Sequence, residues 1–325
     1  MEEITNKSFK KGLWLFLILF IAFLTLNVLI GVYLYPLALF HETIDILIPC
    51  LIYLLVTKKP ILSTLKLDKK MNKKSVVIVF QLFLISFLLK LGINYLVMLT
   101  GSIDPSRVTM EVMELAPDFL TLFFAVAIMP SFLEEIIIRG VVLDQFQDTS
   151  LWQGAIMTGL LFGFMHVDIG QLGYTTVLGI LMGAIVIATG SLWGGILFHF
   201  LNNFTSVATL SFFKLIENTL PSEFEQMATE AQVQSTANIG IVGEVYTFAF
   251  AVICLGIGIL LSVHYIKKLQ KVNVGRKDIK LEEGVLEENE NEGKESHIKV
   301  SWKSLFFNIP FFLIVLVYIG INLIR

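Results

Sequence analysis

Three short segments of this 325-residue chain place ionisable or amide side chains inside stretches that are otherwise apolar. They are SFLEEIIIRG with Glu134, LFGFMHVDIG with His166, and LFHFLNNFTS with His199 and Asn203. A carboxylate beside histidines in a low-dielectric cavity can serve as a general base toward water. An imidazole N–H and an asparagine amide can stabilise the negative charge that develops on an attacked carbonyl oxygen. These residue types therefore indicate hydrolysis.

The spacing within SFLEEIIIRG separates two roles. Glu135 and Arg139 are four residues apart, so on a helix they share a face and can form a structural ion pair. Glu134 is rotated by about 100° from its neighbour and can point elsewhere. Pro130, four residues before Glu134, is expected to kink the helix and to open local space. Because the ion pair does not account for Glu134, that residue becomes the leading candidate for chemistry.

The other two segments repeat the four-residue spacing. Phe162 shares a helix face with His166, and His199 shares one with Asn203. Asn202 is expected to make a structural hydrogen bond between helices. Because these intramembrane polar residues concentrate in the glycine-rich bundle helices, we expect His166, His199 and Asn203 to act in one shared site with the glutamate.

A depth argument supports this shared site. If the helices of Glu134 and His166 form a hairpin that turns near Ser150, each residue lies sixteen positions from the turn and both lie at one depth. This arrangement requires the first helix to continue to about Asp148. His199 is about two turns from the end of its helix, so its depth agrees only if the 144–151 turn projects beyond the membrane.

The same residues can also be interpreted as a zinc site. Glu134, His166 and His199 would supply two imidazoles and one carboxylate and leave a fourth position open for water. Both interpretations predict hydrolysis. The sequence has no HExxH pair, and no Ser–His or Cys–His arrangement can be placed at one depth, so serine and cysteine mechanisms are disfavoured.

The composition places these segments in a membrane. Hydrophobic residues make up 55% of the chain, charged residues 16%, and the mean hydropathy is +0.78. Soluble domains are about 45–50% apolar and about 25% charged. An ionisable side chain inside a bilayer costs about 2.5–3.5 kcal/mol and usually marks function. Lys90 is the exception, because it lies near the end of its span and can reach the interface.

The sequence predicts an all-α polytopic transmembrane bundle of eight or nine spans with a catalytic core of spans four to seven. The candidate spans are residues 13–35, 43–57, 76–100, 118–143, 152–167, 172–189, 191–214, 243–265 and 305–324. The 43–57 span is short enough to be partly re-entrant. Glycines four residues apart, at 159 and 163, 179 and 183, and 190 and 194, predict close helix packing in spans five to seven.

The distribution of basic residues predicts the orientation. Nineteen of the 24 Lys and Arg residues fall before span one, between spans two and three, or between spans eight and nine. This asymmetry places the N-terminus in the cytoplasm and Arg325 outside. The lysine- and asparagine-rich loops favour a bacterial plasma membrane. Cys50 and Cys254 both lie in apolar runs and are expected to be small buried hydrophobic residues.

Five regions follow from this topology, and one of them is a charged linker. The regions are 1–117 with N-terminal helices and a basic cytoplasmic loop, 118–214 with the catalytic bundle, 215–266 with an outer loop and a transmembrane helix, 267–304 with the cytoplasmic linker, and 305–325 with the C-terminal helix. The glutamate-rich part of the linker, 281–295, is expected to be solvated and disordered.

The three motifs resemble those of the CPBP family, the CAAX-protease and bacteriocin-processing (Abi) membrane proteins. The family's EExxxR corresponds to Glu134, Glu135 and Arg139, its FxxxH to Phe162 and His166, and its HxxxN/D to His199 and Asn203. The resemblance covers about residues 118–214. It implies that Glu134 and His166 activate water, that His199 and Asn203 form an oxyanion hole, and that Glu135, Arg139 and Phe162 support them. It favours a glutamate-type mechanism without zinc.

Two functions are compatible with these residues. The first is an intramembrane endopeptidase that cleaves a membrane-associated protein or a peptide precursor. The second is a non-catalytic immunity or peptide-binding protein that uses the same cavity. A transporter is disfavoured, because it would show paired halves with interrupted helices. The expected partners are the lipid bilayer and a peptide or protein substrate, with no nucleic acid.

Overall fold

Every described element of the chain is a helix. The computed structural model describes residues 2–33, 41–100, 118–146, 149–220, 226, 240–274 and 300–324. The helices are α1 (Glu2–Tyr33), α2 (His41–Thr57), α3 (Ile61–Thr64), α4 (Lys73–Met98), α5 (Phe119–Phe146), α6 (Leu151–Met165), α7 (Ile169–Thr189), α8 (Leu192–Thr219), α9 (Gly240–Val272), α10 (Trp302–Phe306) and α11 (Ile309–Ile324). The predicted all-α fold is confirmed.

The described helices include six that are long and apolar enough to cross a membrane. They are Lys7–Ile30 of α1 and helices α4, α5, α7, α8 and α9. Three further apolar helices have 10–17 residues, namely Thr43–Thr57 of α2, α6 and α11. Each of the nine predicted spans thus coincides with an apolar helix.

Parts of the sequence interpretation lie outside the described residues. These are the 281–295 linker, Asp148, Arg325, and nearly all of the outer loop after residue 220.

Helices α6 and α7 form a tight antiparallel hairpin through small residues. A methyl group on Gly179 would lie 2.9 Å from the Cα of Gly159, and one on Gly183 would lie 3.0 Å from the Cα of Ala155. The predicted close approach is confirmed for these glycines, because only a missing side chain permits such backbone distances. Gly190 has a different role, since it ends α7 in the left-handed conformation with a φ of 62°.

Helix α5 is irregular where it carries the acidic residues. Two π-helical segments, Phe123–Ile128 and Ile136–Val142, flank the α-helical stretch Met129–Glu135, and a 3₁₀ turn ends the helix at Phe146. π-Helical turns occur often at functional sites because they change which face a side chain occupies. The sequence predicted one kink at Pro130, but the regular pattern is interrupted on both sides of Glu134.

The start of α8 is held by the loop that follows α3. The main-chain N–H of Leu192 donates to the oxygen of Lys66 over 3.1 Å, and the Trp193 indole N–H donates to the oxygen of Leu67 over 3.0 Å. The first bond satisfies a main-chain N–H that a helix N-terminus leaves without a partner, and the second ties a side chain of the first turn to the same loop. They fix the start of the helix that carries His199.

The terminal helices pack directly on this bundle. The ring of Phe9 on α1 lies 4.7 Å from that of Phe146 at the end of α5. On the other side, the ring of Tyr318 on α11 lies 5.1 Å from that of Phe164 on α6. Phe9 is 1% exposed and Tyr318 is 3% exposed, so both contacts belong to the buried core.

Candidate active site

Glu134 and His199 meet inside the bundle. His199 Nε2 lies 3.6 Å from Glu134 Oε2, and the two residues are 5% and 7% exposed. Counting residues from the helix ends left their relative depth open. The π-helical segment after Glu134 fits more residues into a given helix length, which brings Glu134 nearer to the end of α5 and to the level of His199.

His199 also faces the second glutamate. Its Nδ1 lies 3.4 Å from Glu135 Oε1, so the imidazole is placed between two carboxylates. The same Glu135 oxygen accepts a hydrogen bond of 2.6 Å from Arg139 Nη1. Since both members of this Glu135–Arg139 pair are fully buried, removal of either would leave an uncompensated charge. The pair anchors one side of the imidazole.

Arg139 connects α5 to the α6–α7 hairpin. Its Nη2 donates a hydrogen bond of 2.9 Å to the main-chain oxygen of Gly179 on α7. Its guanidinium carbon lies 4.6 Å above the centre of the Phe162 ring on α6, which is a cation–π geometry. One buried side chain therefore fixes the relative positions of three helices.

Phe162 is the aromatic centre of the cluster. Its ring is 4.7 Å from that of His166 at 71°, and 5.6 Å from that of His199 at 87°. Both are edge-to-face contacts, which stabilise aromatic pairs beyond the area they bury. The Phe162 ring thus contacts both imidazoles of the site.

The hydrogen bond of His166 fixes its tautomer. Its Nδ1 lies 2.9 Å from the main-chain oxygen of Phe162, which can only accept, so Nδ1 carries the proton. In the neutral ring, Nε2 is then left with a lone pair that can accept a proton from water. His166 also lies within electrostatic range of His199 and Arg139. The helix ends here, and Val167 adopts a φ of 53°, which is rare for a β-branched residue.

Asn203 contacts α5 at a different point from His199. Its Nδ2 donates a hydrogen bond of 3.0 Å to the main-chain oxygen of Val126, in the first π-helical segment. In an α-helix that oxygen would accept from residue 130, but Pro130 has no N–H to donate. Asn203 takes the place of the missing donor and keeps a second amide hydrogen for another acceptor.

Asn202 makes the helix–helix contact predicted for it. Its Nδ2 donates to the oxygen of Phe198 over 2.9 Å, and its Oδ1 accepts from Ser86 Oγ on α4 over 3.1 Å. Both bonds are buried and neither involves the glutamates.

The predicted zinc ligands do not form a metal site. Among the described residues, no group of three or more His, Cys, Asp or Glu side chains is arranged to hold a metal ion. Glu134 and His199 are in contact, whereas His166 contacts the Phe162 ring and donates to the main-chain oxygen of Phe162. This arrangement gives no support to the zinc interpretation, and the mechanism proposed below uses the side chains alone.

Several parts of the site have no signature in side-chain spacing. The oxygens of Val126 and Gly179 belong to the backbone, so their use depends on the tertiary structure. Gly195 leaves room for Glu135, because a methyl group there would overlap Glu135 Oε2. The GSLWGG sequence before His199 is the signal that could have indicated this close approach.

One of the comparisons with known proteins gives a match to part of the chain. Residues 116–205 match a family model described as type II CAAX prenyl endopeptidase Rce1-like. No curated protein and no solved structure matches the chain. The matched segment contains Glu134, His166, His199 and Asn203 and the helices that position them. Residues 116–205 thus carry the sequence pattern of the Rce1-like CAAX endopeptidases, which confirms the resemblance indicated by the three motifs.

Proposed function

We propose that this protein is an intramembrane endopeptidase that hydrolyses a peptide bond of a membrane-associated protein or peptide precursor. The family match implies a CAAX-type intramembrane protease. The observation that carries the proposal is the buried contact between Glu134 and His199, 3.6 Å apart beside the Glu135–Arg139 pair. A structural ion pair alone would need only one of the two glutamates.

Glu134 and His166 have the properties of a water-activating pair. Glu134 accepts a proton as the water oxygen attacks the carbonyl carbon, while the lone pair on His166 Nε2 orients the water. The C=O bond becomes a C–O⁻ bond, which His199 and the second amide hydrogen of Asn203 stabilise. When the intermediate collapses, the C–N bond breaks and Glu134 returns the proton to the leaving amine.

Two classes of substrate are compatible with the proposed chemistry. The family description names prenyl proteins, whereas the loop composition favours a bacterial plasma membrane, where a peptide precursor is the alternative. We place the N-terminus in the cytoplasm and the substrate entrance on the same side, because 19 of the 24 basic residues lie in the loops assigned to it.

The test compares the membrane peptidomes of cells that carry wild type, Glu134→Gln or Glu244→Gln. Glu244 is an exposed glutamate on α9, so its replacement is the matched control. We expect cleavage to fall by at least about 10³-fold in Glu134→Gln and to persist in the control. Cleavage that survives Glu134→Gln would exclude the mechanism, and a phenotype that survives it without cleavage would favour an immunity or binding protein.

Treatment of the membranes with a chelator tests whether the cleavage requires a metal ion. We expect wild-type cleavage to persist after the membranes are treated with 1,10-phenanthroline. Loss of cleavage that added zinc restores would contradict the metal-free mechanism without contradicting the protease assignment.

A further inference from the structure

A tyrosine outside the three motifs lies near the proposed catalytic glutamate. Tyr174, on α7, is half-buried, and its hydroxyl donates a hydrogen bond of 2.9 Å to Gln171 Oε1 one turn earlier. Its phenol also lies within electrostatic range of the carboxylates of Glu134 and Asp168. The hydroxyl bonds to its own helix, so this hydrogen bond is separate from the glycine packing between α6 and α7.

The register of the helices places Tyr174 at the depth of Glu134. Helix α6 runs antiparallel to both α5 and α7, so α5 and α7 run parallel. Arg139 on α5 bonds the oxygen of Gly179 on α7. Glu134 lies five residues before Arg139 on α5, and Tyr174 lies five residues before Gly179 on α7, so both lie at a similar depth. Similar depth along two parallel helices, together with the electrostatic contact, brings the phenol into the neighbourhood of the Glu134 carboxylate.

The other donors of the site are partly engaged with the protein. Both ring nitrogens of His199 face carboxylates, at 3.6 and 3.4 Å. Asn203 uses one of its two amide hydrogens on the oxygen of Val126. The donors assigned to a developing oxyanion are therefore one hydrogen of Asn203 and an imidazole that two carboxylates already share, and a further donor would add to their effect.

We propose that the Tyr174 hydroxyl donates a hydrogen bond to the oxygen of the scissile carbonyl as that oxygen becomes negative. Gln171 is the positioning residue: when the hydroxyl turns from Gln171 toward the substrate, the rotated amide donates N–H to the phenolic oxygen. The donor is a neutral phenol throughout, so the proton balance of hydrolysis is unchanged. This inference rests on the proposed endopeptidase function.

The test uses the full-length protein in detergent and a fluorescence-quenched peptide that ends in farnesylated Cys-Val-Ile-Met. Tyr174→Phe keeps the ring and removes only the hydroxyl. We expect its kcat to fall by about 10²–10³-fold, the usual effect of losing one oxyanion donor, with KM within about twofold of wild type. Gln171→Leu should lower kcat by a smaller factor in the same direction.

Tyr95→Phe is the matched control, because Tyr95 is on α4 and its ring packs edge-on against Phe250. Its kcat should equal that of wild type. A Tyr174→Phe variant that cleaves within threefold of wild type, in an assay that Glu134→Gln abolishes, would overturn the role of Tyr174 and leave the proposed function standing. If the farnesylated peptide is not cleaved, the assay is repeated with a peptide that the membrane peptidome comparison identifies as a Glu134-dependent product. Absence of Glu134-dependent cleavage in both the peptidome and the peptide assay would overturn both the proposed function and the role of Tyr174.

Discussion

Arg139 donates a hydrogen bond to the main-chain oxygen of Gly179 over 2.9 Å, although that oxygen lies in the interior of an α-helix. The same guanidinium pairs with Glu135 over 2.6 Å. Arg139 thus connects the helix that carries both glutamates to the hairpin that carries His166. The geometry of the site depends on this buried cation, which contacts no proposed reacting atom.

Arg139→Met should therefore destabilise the protein more than it changes the chemistry. It leaves Glu135 as an unpaired buried charge, and the expected loss is about 3–5 kcal/mol in the free energy of unfolding. The double variant Arg139→Met, Glu135→Gln removes both charges and should recover part of that loss. Thermal unfolding in detergent measures both. If the double variant is as unstable as the single one, the ion pair is not what holds these helices.

Gly179→Ala tests the contact between α6 and α7. The added methyl group would meet backbone atoms of Gly159 at 2.9 and 3.0 Å, and backbone cannot rotate away. We expect a loss of about 1–3 kcal/mol in the free energy of unfolding. Gly256→Ala on α9 is the control, because no atom lies within 4 Å of its added methyl group. Equal stability of the two variants would contradict close packing at Gly159.

The sequence predicted the helices and most of the residues that meet, because both depend on local spacing. Apolar runs locate the helices, and the four-residue spacing places Glu135 beside Arg139 and Phe162 beside His166. The same residue counting could not decide whether His199 reaches the level of Glu134. That depth depends on π-helical turns in α5, which have no signature in the apolar pattern.

One buried acid was missed for a different reason. Asp45 on α2 is 0% exposed, and Asn27 on α1 donates to its Oδ2 over 3.5 Å. In the sequence it lies at the start of a short span, where an acid is expected to reach water. Only the packing of α1 against α2 shows that it is enclosed.

Phe162→Leu tests whether the aromatic ring orients the two imidazoles. The variant loses the edge-to-face contacts at 4.7 and 5.6 Å and the contact with Arg139. We expect kcat to fall by about tenfold or more, equivalent to a lost contact energy of about 1.4 kcal/mol. Phe164→Leu, two residues away on the same helix, loses contacts with Phe311 and Tyr318 instead. It should lower the unfolding temperature and leave kcat unchanged; equal kcat in both variants would exclude an orienting role for Phe162.

Pro130→Ala tests why Asn203 bonds the oxygen of Val126. The variant restores a main-chain N–H four residues after Val126, which can compete for the oxygen that Asn203 now occupies. Released from this bond, the Asn203 amide should lose its fixed direction, so we expect kcat to fall by about tenfold, against about 10²–10³-fold for Asn203→Ala. Pro49→Ala makes the same change inside α2 and should leave kcat unaltered. Because an alanine favours a helix interior by about 3 kcal/mol over proline, neither variant should be less stable than wild type. If kcat falls in Pro130→Ala but not in Pro49→Ala, and both variants keep their stability, then Pro130 is needed to orient Asn203. An unchanged kcat in Pro130→Ala would contradict this role.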